Sequence, residues 1–329
     1  MKTKNEFHGK FADEFRLFLQ EKHSLGIKYI DEERMLYQID GMTMDYDCQY
    51  GLPKALVEEF IRFRPHWAKA TQESHINLIR QIALFLIKMG LPSYYPDSCW
   101  KGNSTRDFHP YIYTNEEIER LFEVADNPRN RISERSRDFH SVIYRLLYSS
   151  GLRVSEALNL TMGNIDFTEG TIYIRNSKNH KDRKLPIDKG MLVWMEDYAS
   201  KYHKTYRPED YFFRSPEGGA YSKHTVYAYF RKMLFACGIS HGGRKKGGPR
   251  LHDVRHAFCV HSLEKMLSQG TPYDAALPVL CAYMGHSSLS ATTKYLHLTQ
   301  ELYPDISQRL EITVGSIIPV MEGIKNENE

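Results

Sequence analysis

The chain has no long apolar run. Its longest uninterrupted stretches, such as IALFLI at 82–87, fall far short of the roughly 20 residues that cross a bilayer. No apolar segment follows the lysines of the opening MKTKNEFHGKF, so a secretory signal is not expected. Cysteine is scarce and scattered, at Cys48, Cys99, Cys237, Cys259 and Cys281, with no CxxC pair. That excludes a disulfide framework and a zinc knuckle and predicts thiols, most of them buried. Internal repeats and low-complexity tracts are absent too. These absences leave a soluble protein, expected in the cytoplasm and without membrane partners.

A strong charge of either sign is also missing, the formal net charge being +3. Its distribution is more informative. Residues 1–100 carry 13 Lys and Arg against 14 Asp and Glu, and the remainder carries 31 against 27. Two loops concentrate the positive charge, RNSKNHKDRK (175–184) and HGGRKKGGPR (241–250). Basic residues on Gly- and Asn-rich loops can follow a phosphate backbone. Arg175, Lys181, Arg183, Arg244, Lys245, Lys246 and Arg250 are therefore candidate DNA contacts. Solvated loops of no function have the same composition.

The 329 residues, 41% hydrophobic and 12% aromatic, suit two folded domains. In the first, Phe7, Phe11, Phe15, Phe18 and Leu19 share one face at helical spacing. A second helix is expected from Asp31 to Met42. A third is expected from Pro53 with Leu56, Val57, Phe60 and Ile61, and a fourth from about Thr71 to a stop at Gly90. Residues 91–113, with Pro92, Pro96, Gly102 and Pro110, have linker composition. Thr114 and Glu117 have capping-box spacing and open a new helix. The expected organisation is a helical domain at 1–107 (its linker from about 91), a second domain at 108–300, and a tail at 301–329. The second domain reads as helical with one β insertion. A helix at 133–150 ends at Gly151, TIYIRNSKNHKDRKLPI (171–187) reads as a hairpin, and helices follow near 188–203, 222–237, 251–269, 272–284 and 290–298. The fold class expected is mainly α with a small sheet.

Four short stretches carry possible chemistry. In LHDVRHAFCVH (251–261), His252 and His256 lie one helical turn apart. The HExxH zinc pattern also places two histidines so, but Asp253 stands where it has Glu, and no third ligand follows. His252 and Arg255, three apart, together suit a phosphate oxygen. In SSGLRVSEALNL (149–160), Arg153 follows the Gly151 break at a helix start, where backbone N–H groups favour an anion. Glu156 is placed to hold that arginine. Lys178 stands at the hairpin tip. In MGHSSLSATTKYLHL (284–298), Tyr295 follows His286 by nine residues. Each stretch alone has a plain structural explanation, including a packed ring for Tyr295.

Together, in this order, the stretches resemble the tyrosine recombinases of the phage-integrase type, the group that includes the Xer and Cre recombinases. GLRVSEALNL resembles the family's first arginine box and RNSKNHKDRKLPI its basic hairpin. LHDVRHAF resembles its HxLRHTFAT box, with Val254 where Leu is usual. MGHSS followed by TTKYLH resembles its LGH and TTxxYxH ending. The resemblance covers about 110–300. MLSQGTPYDAALP, between the last two boxes, is longer than in compact members. The N-terminal helices are similar in kind to the family's core-binding domain.

Carried over position by position, the resemblance implies a site of Arg153, Lys178, His252, Arg255, His286 and Tyr295. Tyr295 would be the nucleophile and Lys178 the general acid for the leaving 5′ oxygen. Arg153, Arg255 and His286 would hold the phosphate, and His252 would accept the phenol proton. The surrounding cations would favour the phenolate. The boxes hold no carboxylate pair for two metal ions, so no metal or cofactor is expected. The implied reaction is transesterification through a 3′-phosphotyrosine, with strand exchange through a Holliday junction. The implied partners are double-stranded DNA with specific sites, a homotetramer on paired sites, and possible accessory proteins. The setting would be a bacterial nucleoid and a mobile element. Three other readings remain at this point: a catalytically silent DNA-binding accessory protein, a relaxing enzyme like the type IB topoisomerases, and a zinc hydrolase.

Overall fold

The computed structural model describes residues 6–97, 110–128, 132–175, 182–242 and 248–286, together with 295 and 298. The chain forms two compact units, 1–107 and 108–329. No helix among the described residues is long and apolar enough to cross a membrane.

Among the described residues four α-helices build the first unit: α1 (Ala12–Ser24), α2 (Ile30–Met42), α3 (Lys54–Ile61) and α4 (Lys69–Lys88). Pro53 caps α3 from outside the helix, in extended backbone, one residue earlier in role than its spacing suggested. Phe15, Phe18, Leu36, Ile39, Phe60, Ile79 and Ile82 fill the core. Asp40 is buried with them, and its carboxylate accepts from the backbone N–H groups of His8 and Gly9. That ties the entering segment to α2.

The second unit contains α5 (Asn115–Asp126), α6 (Glu134–Ser150), α7 (Val154–Leu158), β1 (Ile165–Asp166), β2 (Thr171–Ile174), β3 (Arg183–Pro186), α8 (Lys189–Tyr202), α9 (Lys223–Ala236), α10 (Leu251–Ser268) and α11 (Tyr273–Met284). The Thr114 hydroxyl accepts from Glu117 N at 3.2 Å, and the Glu117 carboxylate accepts from Thr114 N at 3.1 Å, closing the capping box that opens α5. The expected two-strand hairpin is the larger part of a three-stranded antiparallel sheet in the order β1-β2-β3, with Ile172 opposite Leu185 and Ile174 opposite Arg183. β1 is not legible in the sequence. At two residues it is too short to show alternation.

The position of α10 decides the rest. Leu251, Val254 and Ala257 enter the main core, while Cys259, Val260 and Leu263 enter a second cluster with Leu277, Leu280, Met284 and Tyr295. A helix covered on most sides buries whatever polar groups it carries, and buried polar groups require partners. On α10 these are Asp253, Arg255 and His256.

Candidate active site

Arg153 stands at the N-terminus of α7, just after Gly151, which ends α6 in the left-handed region at φ 58°. A Cβ on Gly151 would run into the Phe258 ring, so only glycine fits this corner. Glu156, three residues past Arg153, gathers the local cations. Its carboxylate accepts from Arg153 N at 3.0 Å and from Arg153 Nη1 at 2.7 Å. It also accepts from both terminal nitrogens of Arg183, at 3.2 and 2.9 Å. Burial raises the Glu156 carboxyl, but the hydrogen bonds and charges of Arg183 and Arg153 outweigh it and hold it down at about 2.

Arg255, 3% exposed, is the hub. It donates through Nη1 to the carbonyl of Gly151 and through Nη2 to the carbonyl of Met284 at 2.7 Å. Nη2 also lies 3.2 Å from His286 Nε2. Arginine offers only donors, so His286 Nε2 accepts. Burial, and then the charge of Arg153, lower the Arg255 guanidinium to about 10. His286 follows Gly285, the left-handed cap of α11. A Cβ on Gly285 would meet the Arg183 guanidinium at 2.9 Å. Arg183 also donates through Nε to the Tyr283 carbonyl at 3.1 Å.

Tyr295 is helical and 1% exposed. Its hydroxyl lies 2.7 Å from His256 Nδ1. Its ring is parallel to that of His286, with centroids 6.1 Å apart. Burial raises the phenol well above its ordinary value of 10, and Arg255 and Arg153 only partly oppose that. The cations thus pull toward the phenolate as anticipated, but in this state desolvation wins. His252 is exposed at the start of α10, edge-on to His256 with centroids 4.9 Å apart.

The structure therefore brings Arg153, Glu156, Arg255, His286 and Tyr295 together, with His252 at the exposed side. Lys178 lies outside the described residues, as do Lys181, Arg244, Lys245 and Lys246. Of the remaining basic candidates, Arg175 and Arg250 are exposed. Arg183 is not a surface cation. Its side chain is 10% exposed and occupied by Glu156 and Tyr283. Its strand position carried the signal, because Arg183 shares the period-two face of buried Leu185. In the sequence His256 reads only as the second histidine of a zinc-like pair. Its place directly before the apolar Ala257 and Phe258 is the signal in the sequence for an internal partner. No group of three or more His, Cys, Asp or Glu side chains suited to a metal ion occurs among the described residues.

Residues 112–301 match the Phage integrase family. The chain belongs to that family. A Sinorhizobium fredii protein, y4rB, named for an integrase or recombinase, is 26% identical over 310 residues, covering 92% of this chain and 97% of its own. The tyrosine recombinase XerC of Chlamydia trachomatis is 27% identical over 74% of this chain and 72% of its own. Among solved structures, the XerH recombinase in a post-cleavage complex with its difH substrate matches with a TM-score of 0.62 at 19% identity, covering 85% of this chain and 77% of its own. This chain is a site-specific tyrosine recombinase, an enzyme of DNA recombination.

Proposed function

We propose that Tyr295 is the nucleophile of this recombinase and that Arg153, Arg255 and His286 hold the scissile phosphate. The observation that carries the reading is the placement of Arg255. Its guanidinium bonds the carbonyl two residues before Arg153 and the carbonyl two residues before His286, while Tyr295 packs in the same buried cluster as α10. Residues from three distant stretches thus meet around one phenol. Preorganised donors of this kind stabilise the charge that grows on the non-bridging oxygens.

In the proposed reaction Tyr295 Oη bonds to phosphorus and the bond from phosphorus to O5′ breaks. The phenol proton leaves by way of the α10 histidines, His252 among them. Lys178, which the resemblance makes the general acid, gives its proton to the departing O5′. The 3′-phosphotyrosine keeps the bond energy of the backbone, so a 5′ hydroxyl of the partner strand reseals the DNA without ATP. Two such exchanges pass through a Holliday junction.

We also propose a tetramer on two double-stranded sites, with the 1–107 unit clamping DNA, residues 301–329 docking on a neighbouring protomer, and accessory proteins at some sites. The proposed setting is the cytoplasm of a bacterium, on the nucleoid, in the service of a mobile element. The test uses a nicked suicide substrate. A covalent protein–DNA adduct is expected, abolished by Tyr295→Phe while DNA binding persists. An adduct that survives Tyr295→Phe places the nucleophile elsewhere. Relaxation of any plasmid without recombination of paired sites would instead favour a topoisomerase.

A further inference from the structure

We propose that His256 is a catalytic residue, its Nδ1 taking the proton from Tyr295 Oη as that oxygen attacks phosphorus. This rests on the reading of Tyr295 as the nucleophile. The two atoms are 2.7 Å apart, within the reach required of a general base. Both side chains are buried, His256 at 4% exposure and Tyr295 at 1%. The geometry therefore persists without solvent competing for the hydroxyl. His256 follows Arg255 directly on α10, so one turn of one helix carries the proposed base and a phosphate-binding guanidinium in fixed relation.

The surroundings make the transfer depend on substrate. On α10, His252 is edge-on to His256, and Arg255, Asp253 and Cys259 lie within electrostatic reach of the phenol. From other elements, Arg153 does so too, and His286 presents a parallel ring to Tyr295. Arg255, buried, and Arg153, partly exposed, oppose a third positive charge on an imidazolium. A phosphodiester seated between them would offset that opposition as it arrives. The proton then moves from Oη to Nδ1 while the bond from Oη to phosphorus forms and the bond to O5′ breaks. In resealing, the imidazolium returns it to the departing phenolate, so the cycle needs no external acid at this position.

Single-turnover cleavage of a nicked substrate by His256→Asn tests this. Asparagine keeps a polar group near Nδ1 but is not basic enough to take up the phenol proton. A loss on the order of a hundredfold or more is expected, with DNA affinity unchanged. Placing 3,5-difluorotyrosine at position 295, a phenol that ionises more readily, should recover most of the loss in the variant and alter the otherwise unmutated chain little. A purely structural histidine predicts no such selective rescue. Cleavage by His256→Asn at the unmutated rate, or a loss that fluorination leaves untouched, overturns the proposal. Should His256→Asn fail to fold, the fluorinated nucleophile in the otherwise unmutated chain decides. A small gain supports an acceptor already in place, and a gain that tracks the phenol's acidity refutes one. Tyr295→Phe, run in parallel, separates the two readings. A persisting adduct removes the nucleophile, whereas its loss beside an unimpaired His256→Asn removes only the role of His256.

Discussion

At the scale of the residue, one carboxylate decides how the cations are arranged. Glu156 meets Arg153 and Arg183 from a buried position, and an unpartnered charge there would cost several kcal/mol. Its folded-state carboxyl, at about 2, lies below the ordinary 4.5. A depressed acid contributes stability that is present above the unfolded value and lost as pH falls through the folded one. The contribution is on the order of 3 kcal/mol, and it fades between about pH 4.5 and pH 2. Thermal melting of Glu156→Gln beside the unmutated chain should show a gap at pH 7 that narrows across that window. A gap independent of pH would show that the carboxylate's charge is not what the arginines need. Cleavage by Glu156→Gln should also fall, since Arg153 loses its ionic anchor.

At the scale of the element, α10 does what its sequence only half discloses. The apolar positions Leu251, Val254, Ala257, Val260 and Leu263 mark a core helix, and periodicity makes them legible. Three polar positions between them, Asp253, Arg255 and His256, are equally buried, which periodicity does not reveal. The corner between α6 and α7 is the counterpart. Gly151 bends the chain there, and its carbonyl receives Arg255. Gly151→Ala combines a positive φ with a Cβ driven into Phe258. It should cost about 1 kcal/mol or more in stability and slow adduct formation further by shifting the Arg255 anchor. Chemical denaturation and the suicide-substrate assay measure the two effects. An alanine variant of unchanged stability would mean that the corner adapts and that the glycine is dispensable.

At the scale of the whole molecule, binding to DNA is expected to rest on phosphate contacts from both units. Affinity should fall steeply with salt, on the order of a thousandfold between ~50 and ~200 mM if six or more phosphates are engaged. Titrations at several salt concentrations check this, and a nearly flat response would overturn it. The same titrations separate two arginines. Arg175→Ala, at an exposed position, should lower the salt slope by about one. Arg183→Ala, whose guanidinium is spent on Glu156 and Tyr283, should leave the slope alone and slow cleavage instead.

What the sequence determined by itself was local backbone form and chemical inventory. Capping residues, left-handed glycines and apolar spacing specify where a helix begins, stops and faces, because those preferences act within a few residues. The order of the boxes, read by resemblance, named the arginines, histidines and the tyrosine. Three matters waited for the tertiary structure: that His256 is the ring against the Tyr295 hydroxyl, that Arg183 turns inward, and that burial outweighs the arginines at the phenol. Each depends on side chains 27 to 142 positions apart in the chain, such as Arg183 and Glu156 or Tyr295 and Arg153. Their distance and solvation exist only once the helices have packed, since desolvation and hydrogen bonding are properties of the assembled neighbourhood and not of the residue.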